Sequence, residues 1–234
     1  MTSVQGARAR ARIEITAAIK DEARKQLAAE GAPKLSLRAV ARELGMVSSA
    51  LYRYFPSRDD LLTALIVDAY DAVGAAAEQA LAAADARPPR DPLARWTAVC
   101  RAVRSWAVAH PHEYALIYGS PVPGYSAPQD TVAPASRVGL ALIGIARDAF
   151  TTEGIAPPPL PVKLRPEAER MATDLAPDLP PALVVALVAA WSQLFGLVSF
   201  EVFGQFNRIV EGREEFFTAA ATRLGRDVGL LPRA

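Results

Sequence analysis

Apolar residues recur every three or four positions along most of this chain, which is the spacing that places side chains on one face of an α-helix. The first such stripe ends before Gly31 and Pro33, two residue types that terminate helices. Its members are Ile15, Ile19, Ala23 and Leu27. Alternating β-branched runs, which indicate strands, are scarce. The pattern therefore predicts an all-α protein.

Two short helical segments follow, separated by a turn that contains glycine. The first is Ser36–Leu44, which begins at a residue type that caps helices well, and the second is Ser48–Phe55. The turn between them is Gly45–Val47. Leu51 and Phe55 give the second segment an apolar face, so its other face is left for solvent or a partner. These are the proportions of a helix-turn-helix.

A longer fourth helix is predicted to begin at Ser57, with Asp60 in the capping-box position, and to reach about Ala84. No helix-breaking residue separates it from the short helices. We therefore predict an N-terminal domain over 1–58, a C-terminal domain over 59–234, and a fourth helix, 57–84, that connects them.

The remaining chain is predicted to be helical except for two segments rich in proline and glycine. The predicted helices are Leu93–Ala109, Glu113–Tyr118, Ala135–Glu153, Pro181–Phe206 and Glu211–Val228. The predicted loops are Gly119–Pro134 and Gly154–Pro166.

Charge is distributed unequally between the two predicted domains. Residues 1–58 contain 11 Lys+Arg and 5 Asp+Glu, whereas residues 59–234 contain 15 and 20, and the whole chain carries a net charge of +1. A basic N-terminal domain indicates a polyanionic partner. The single cysteine, Cys100, fits a reducing compartment, and the arginines of the first twelve residues precede no secretory core. We expect a cytoplasmic protein.

One apolar stretch, Ala182–Phe200, approaches the length of a membrane-spanning helix. Ser192 and Gln193 interrupt it centrally, and no basic cluster flanks it. These features favour a buried helix at a subunit interface. A membrane-associated helical protein remains as an alternative.

The segments Leu37–Gly45 and Ala50–Leu62, which include Tyr-Arg-Tyr-Phe ending at Phe55, resemble the signature of the TetR family of transcriptional regulators. The resemblance implies a homodimer whose recognition helices enter successive major grooves of a palindromic DNA operator. It also implies a repressor that a small molecule releases. A helical small-molecule-binding protein without sequence-specific DNA binding is the alternative function.

The resemblance assigns DNA contacts to the N-terminal domain. Arg38 and Arg58 are expected to contact phosphate. Val47 stands where the family often has a capping Ser or Thr, so either Ser48 caps the recognition helix or the cap is weak. The candidate DNA-binding residues are Ser36, Arg38, Ser48, Ser49, Tyr52, Arg53, Tyr54 and Arg58. Two other interpretations stay open, namely that the tyrosines are packing residues and that Arg53 is a solvated charge.

The resemblance also implies that the last two long helices form a four-helix bundle with a partner subunit, although a monomer core explains their apolar stripes equally well. The candidate interface residues are Trp191, Leu194, Val198, Val202, Phe216, Phe217, Ala220 and Leu224. The segment Trp191–Glu201 further resembles one TetR branch with a Trp…His-Gly signature, in which Phe195 here replaces the histidine.

A ligand cavity in the C-terminal domain is expected to be apolar, with a few polar groups, and to accept an apolar or aromatic effector. The candidate lining residues, each of which could instead be a core residue, are Trp96, Cys100, Val103, Trp106, Tyr114, Ile117, Tyr118, Phe150, Phe195 and Phe203.

Catalytic and metal-binding patterns are missing from the sequence. His110 and His112 flank Pro111, and only Glu113 and Cys100 lie near enough in sequence to be further ligands. Neither a phosphate-binding loop nor a nucleophile elbow is present. We therefore predict neither an enzyme nor a bound metal or cofactor.

Overall fold

The structure is a computed structural model that describes residues 2–232, with side chains from residue 6 onward. These residues form ten α-helices and three short 3-10 helices, and no β-strand occurs among them, which confirms the all-α prediction. The α-helices are α1 Thr2–Glu30, α2 Leu37–Glu43, α3 Ser48–Leu51, α4 Arg58–Asp85, α5 Pro92–Ala109, α6 Pro111–Tyr118, α7 Val132–Thr151, α8 Arg165–Leu175, α9 Pro181–Val202 and α10 Arg213–Val228.

The chain divides into two compact units. The first unit contains the residues up to Tyr70 together with His110–Val132, and the second contains Asp71–Ala109 together with the residues from Ala133 onward. The first unit is therefore larger than the predicted 1–58 domain. It gains α6 because α6 packs on α1, where Arg24 Nε donates to Glu113 Oε2 at 3.2 Å.

Local sequence signals set the helix ends of the first unit. Gly31 has a φ of 78°, a left-handed value that glycine adopts without steric cost, so α1 ends immediately before it. The Ser36 hydroxyl caps α2 by accepting from the Ala39 N–H at 3.4 Å. At the start of α4, the Asp60 N–H donates to Ser57 Oγ at 3.1 Å, as the capping pattern predicts.

The core of the first unit is built from one apolar face of each helix. Its fully buried members include Ile19, Ala23, Val40, Leu51, Leu61 and Leu62. The stripe predicted on α1 and the apolar face predicted on the third helix both enter this core. The third helix itself is shorter than predicted, because regular α-helix ends at Leu51 and a turn carries the chain to Tyr54.

The second unit is organised around the packing of α10 on α5 and α9. A glycine, Gly225, allows α10 to approach α5 closely, since a Cβ at this position would lie 2.7 Å from Leu93 Cδ1 and 2.9 Å from Trp96 Cδ1. The Trp96 indole Nε1 donates to the Ala221 carbonyl at 3.0 Å. Trp96 therefore fixes α5 against α10 and leaves no room for a larger residue at 225.

One helix of the second unit was missed by the sequence analysis. Helix α8 begins at Arg165, inside the segment Gly154–Pro166 that was predicted to be a loop, and Pro166 lies in its first turn, where proline is tolerated. Ala168 and Ala172, four residues apart, form its buried contact. Helix α9 also ends earlier than predicted, because Gly204 adopts a φ of 77°.

Helix α9 is the one helix among residues 2–232 that is long and apolar enough to cross a membrane. Helices α5, α8 and α10 nevertheless pack against it. Near its end, the buried Glu201 forms a two-point ion pair with Arg104, at 2.6 Å and 2.7 Å. These contacts favour the interpretation of α9 as a core helix over that of a membrane span.

Candidate nucleic-acid interface and cavity

The helix-turn-helix of the first unit separates its residues into a buried and an exposed set. Leu51 and Phe55 are buried, at 0% and 6% exposure, and hold the recognition segment to the core. Four of the candidate DNA-binding side chains lie on the outside, and they are Ser48, Ser49, Tyr52 and Arg53. Hydroxyl and guanidinium groups on an exposed helical segment can donate hydrogen bonds to phosphate oxygens and to acceptors on base edges.

The start of the recognition helix has no side-chain cap. Val47 occupies the N-cap position of α3, and no side chain within the described residues bonds to the amides there. The sequence left open whether Ser48 caps the recognition helix or the cap is weak, and the structure contains the weak cap.

The two arginines predicted to contact phosphate differ in their surroundings. Arg38 is exposed in the first turn of α2. The Arg58 guanidinium is half-buried and donates to main-chain carbonyls of the turn before α2, at 2.8 Å to Ala32 and 3.2 Å to Leu35. Arg58 thereby ties the start of α4 to that turn. Phosphate contact by Arg58 remains a prediction, whereas its structural role is visible.

Tyr54 is half-buried, and the Arg12 guanidinium lies over its ring at 5.3 Å from the centroid. This contact fits the packing interpretation of Tyr54. Ser36 likewise has a structural role as the cap of α2.

The residues predicted to line a ligand cavity are divided between the two units. Tyr114, Ile117 and Tyr118 belong to the first unit, and the other seven belong to the second. Phe150 and Phe203 are exposed, at 41% and 44%. The remaining five are buried, and they are Trp96, Cys100, Val103, Trp106 and Phe195.

Two of these side chains, whose ordinary pKa values already leave them largely uncharged at neutral pH, are held further from ionisation by burial. It raises the pKa of the Cys100 thiol and, together with the neighbouring Tyr70 and Tyr114, that of the Tyr118 hydroxyl. Charge–charge recognition of a ligand by these groups is therefore absent at neutral pH.

A cavity of about 470 Å³ lies elsewhere in the second unit, between α7, α8 and α9. This volume is in the range of small-molecule sites. Gly139 and Trp191 contribute to its wall, which is otherwise mainly aliphatic and includes Leu140, Leu142, Ile143, Leu175, Leu187 and Val188. The predicted lining residues did not include this cavity, because they are mainly aromatic while its wall is mainly aliphatic, and because α8, which forms part of the wall, was not predicted.

Four of the predicted interface residues are corrected by their burial. Leu194, Val198, Phe217 and Leu224 are at most 5% exposed within a single chain, so they have almost no surface left for a partner. Helix α9 is apolar on several faces, and the sequence did not reveal which face its own unit covers.

The other four predicted interface residues keep accessible surface. Trp191 and Phe216 are 39% and 42% exposed, and Val202 and Ala220 are half-buried. Phe200, which the sequence analysis did not select, is 53% exposed and contacts Phe206, which in turn contacts Phe216. An exposed aromatic row therefore runs from α9 to α10.

Tyrosine and tryptophan are segregated between the units. Every tyrosine of the chain belongs to the first unit and every tryptophan to the second. The tyrosines are Tyr52, Tyr54, Tyr70, Tyr114, Tyr118 and Tyr125, and the tryptophans are Trp96, Trp106 and Trp191.

Comparison with known proteins agrees with this architecture. A family model described as bacterial regulatory proteins, tetR family, matches residues 19–65, and one described as tetracyclin repressor-like, C-terminal domain, matches residues 96–224. The chain is 42% identical over 208 residues to the HTH-type transcriptional regulators Rv1816 of Mycobacterium tuberculosis and Mb1846 of Mycobacterium bovis, covering 86% of this chain and 86% of each relative.

Solved structures show the same fold. The regulatory protein SCO4313 is 33% identical and superposes with a TM-score of 0.75, covering 92% of this chain and 97% of that protein. The TetR family regulator PfmR from Thermus thermophilus is 20% identical, with a TM-score of 0.56 and coverage of 89% and 97%. The family models and the two mycobacterial regulators confirm the prediction of a DNA-binding regulator and not an enzyme. The chain belongs to the TetR family of bacterial transcriptional regulators.

Proposed function

We propose that this protein is a repressor that binds a palindromic operator as a homodimer and is released when a small apolar molecule occupies the cavity between α7, α8 and α9. The exposed polar face of the recognition segment carries the proposal. Because an operator is chromosomal DNA, the regulator acts in the cytoplasm.

The first unit supplies the operator contacts. Leu51 and Phe55 hold the segment in place from the inside, so the exposed Ser48, Ser49 and Tyr52 can be offered to the groove without rearrangement of the core. The excess of positive charge in residues 1–58 supports attraction to the phosphate backbone.

The aromatic row on α9 and α10 supports pairing of two copies. Phe200 and Phe216 are 53% and 42% exposed although they are large and apolar, and Phe206 contacts both of their rings. A contiguous exposed apolar surface of this kind is typical of a protein interface. Pairing through helices α9 and α10 produces the two-fold axis that a palindromic operator matches.

The walls of the cavity define the chemistry of the effector. The Ser136 hydroxyl already donates to the Ala133 carbonyl at 2.8 Å, and the Asp174 carboxylate accepts from Arg170 at 3.2 Å. The two polar side chains are thus engaged within their own helices, and the remaining wall is aliphatic apart from Trp191. An uncharged apolar molecule is the effector that such walls accept.

Operator binding is tested by selection from random duplexes with the purified protein at two salt concentrations. We expect a palindromic site whose affinity falls steeply as salt rises. Recovery of no sequence above background from folded, dimeric protein would contradict the repressor proposal.

The cavity is tested with Gly139→Leu, because a Cβ at 139 meets no atom within 4 Å and the new side chain occupies the cavity. The neutral apolar fluorophore N-phenyl-1-naphthylamine serves as the probe. We expect Gly139→Leu to bind it at least about tenfold more weakly than wild type, because the volume is filled.

The matched control is Gly144→Leu, on the same helix, outside the cavity wall and equally free of neighbours within 4 Å. It should bind the probe as wild type does. Unchanged probe affinity in Gly139→Leu would exclude this cavity as the site, and both variants should retain operator binding.

A further inference from the structure

We propose that the N-terminal part of α1 is a second DNA-contacting element, in which Arg8, Arg10 and Arg12 bind backbone phosphates flanking the half-site read by the recognition segment. The inference rests on the proposed operator binding. It concerns a segment that the helix-turn-helix motif does not include, since the matching family model begins at residue 19.

From residue 6 to residue 14 the segment is helical and lies outside the core, and Arg12 contacts the Tyr54 ring. Helix α1 begins at Thr2, residues 6–14 are all exposed, and the first fully buried side chain is Ile19. The exposed residues from 6 to 14 alone correspond to about 13 Å of helix. Among residues 6–14, whose side chains the structure describes, none is buried in a way that would explain the extension of α1 beyond the core.

The charges of this segment are uncompensated within the described part of the chain. Neither Arg8, Arg10 nor Arg12 lies within ion-pair distance of a carboxylate there. Elsewhere arginines with structural roles are paired, as Arg104 is with Glu201 at 2.6 Å and Arg137 with Glu78 at 2.6 Å. Three guanidinium groups within five residues that have no carboxylate partner among the described residues favour an external anion.

The placement of Arg12 links this segment to the recognition segment. Its guanidinium lies 5.3 Å from the centre of the Tyr54 ring, and Tyr54 directly follows the exposed Arg53. Arg8 lies one turn from Arg12 on the same helix face, about 6 Å farther along the axis. Arg8 and Arg12 therefore extend the basic surface outward from the residues proposed to face the groove, whereas Arg10, two residues from each, lies on the other side of the helix.

The composition of the segment selects duplex DNA over a membrane surface. Its residues between the arginines are alanines, and Ile13 is its only large apolar side chain from Gly6 to Glu14. A helix that binds in the membrane interface requires a broad face of large apolar residues. Arginine paired with phosphate requires only charge and reach.

The test uses the full-length dimer, the operator obtained by selection, and the double variant R8Q/R10Q. Duplexes are made with and without flanks of about one helical turn, ten base pairs, on each side. With flanks, we expect the slope of log affinity against log salt to become shallower by up to about 3.6 units, since four arginines in the dimer each contribute about 0.9. Without flanks, wild type and variant should bind equally.

The matched control is R87Q/R165Q, which removes the same charge from two exposed positions of the second unit and should leave the slope unchanged. R8K/R10K should bind as wild type, because phosphate contacts depend mainly on charge. If wild type binds its operator and the salt slope of R8Q/R10Q differs from that of wild type by less than about one unit, the inference is overturned. Failure of wild type to bind any operator would instead overturn the proposed function.

Co-sedimentation provides a separate check on the partner. We expect no binding to vesicles of equal parts phosphatidylserine and phosphatidylcholine. Vesicle binding that R8Q/R10Q abolishes, with an unchanged salt slope on DNA, would assign the arginines to a membrane surface and overturn the DNA assignment.

Discussion

The two units of this regulator present their functional groups in opposite ways. In the first unit, the groups proposed to face DNA are the polar side chains within the short stretch from Ser48 to Arg53, which the buried Leu51 and Phe55 hold in place. In the second unit, the cavity and the aromatic row arise from apolar residues of several helices far apart in sequence. A local motif can therefore define the first function, whereas the second depends on packing.

The largest expected effect is a loss of stability when the helix packing of the second unit is disturbed. In Gly225→Ala, the new Cβ would lie 2.7 Å from Leu93 Cδ1 and 2.9 Å from the Trp96 ring, so α10 must move away from α5. We expect the free energy of unfolding to fall by about 1–3 kcal/mol. Denaturant unfolding followed by circular dichroism measures it.

Gly144→Ala is the control for that change, because its Cβ meets nothing within 4 Å. It should leave stability unchanged or raise it by up to about 1 kcal/mol, since alanine favours a helix. Equal stability of the two variants would mean that the close approach at 225 has no special importance.

An intermediate effect separates the two arginines of the first unit. Arg38→Ala should leave the unfolding free energy within about 0.5 kcal/mol of wild type. Arg58→Ala should lower it by about 1–2 kcal/mol, because its hydrogen bonds to the Ala32 and Leu35 carbonyls are lost. Unfolding experiments without DNA measure both changes.

Operator binding by the same two variants completes the comparison. Arg38→Ala should make the salt slope shallower by about one unit per protomer. If Arg58→Ala were as stable as wild type and showed the shallower slope, Arg58 would be a phosphate-binding residue without a structural role.

The first unit could be predicted closely because its signals are local. Gly31 ends α1, and the Ser57 and Asp60 cap starts α4, where the sequence predicts them. The hydrogen bonds of Arg58 could not be predicted in this way, because its carbonyl partners are separated from it by more than twenty residues.

The second unit was less predictable for a physical reason. Leu194 and Trp191 are both apolar residues of α9, yet one is fully buried and the other 39% exposed. Which face is covered depends on α5, α8 and α10, and α8 gave too weak a pattern to be predicted. The cavity exists where small residues such as Gly139 leave space, which is a property of packing and not of composition.

The smallest expected effect lies in the surface charges of the second unit. Arg137 donates to Glu78 at 2.6 Å and 2.8 Å, and this hydrogen bonding lowers the pKa of the Glu78 carboxyl. A lowered folded-state pKa stabilises the fold above the ordinary value of 4.5, and that contribution is lost as pH falls through the folded-state pKa.

Glu78→Gln should therefore reduce stability at neutral pH by about 0.5 kcal/mol or less, because the pair is about half exposed. The difference from wild type should vanish at pH values below the folded-state pKa. A difference that persisted there, measured by thermal unfolding across pH, would show that Glu78 stabilises by packing and not by charge.

Because tyrosine and tryptophan are segregated between the units, tryptophan fluorescence can be assigned to one unit. Light absorbed only by indole excites Trp96, Trp106 and Trp191, so the resulting fluorescence reports on the second unit alone. Trp191 lies in the cavity wall at 39% exposure, so its emission should shift to shorter wavelength when an apolar molecule displaces water beside it. Effector occupancy can thus be followed in the unlabelled native protein.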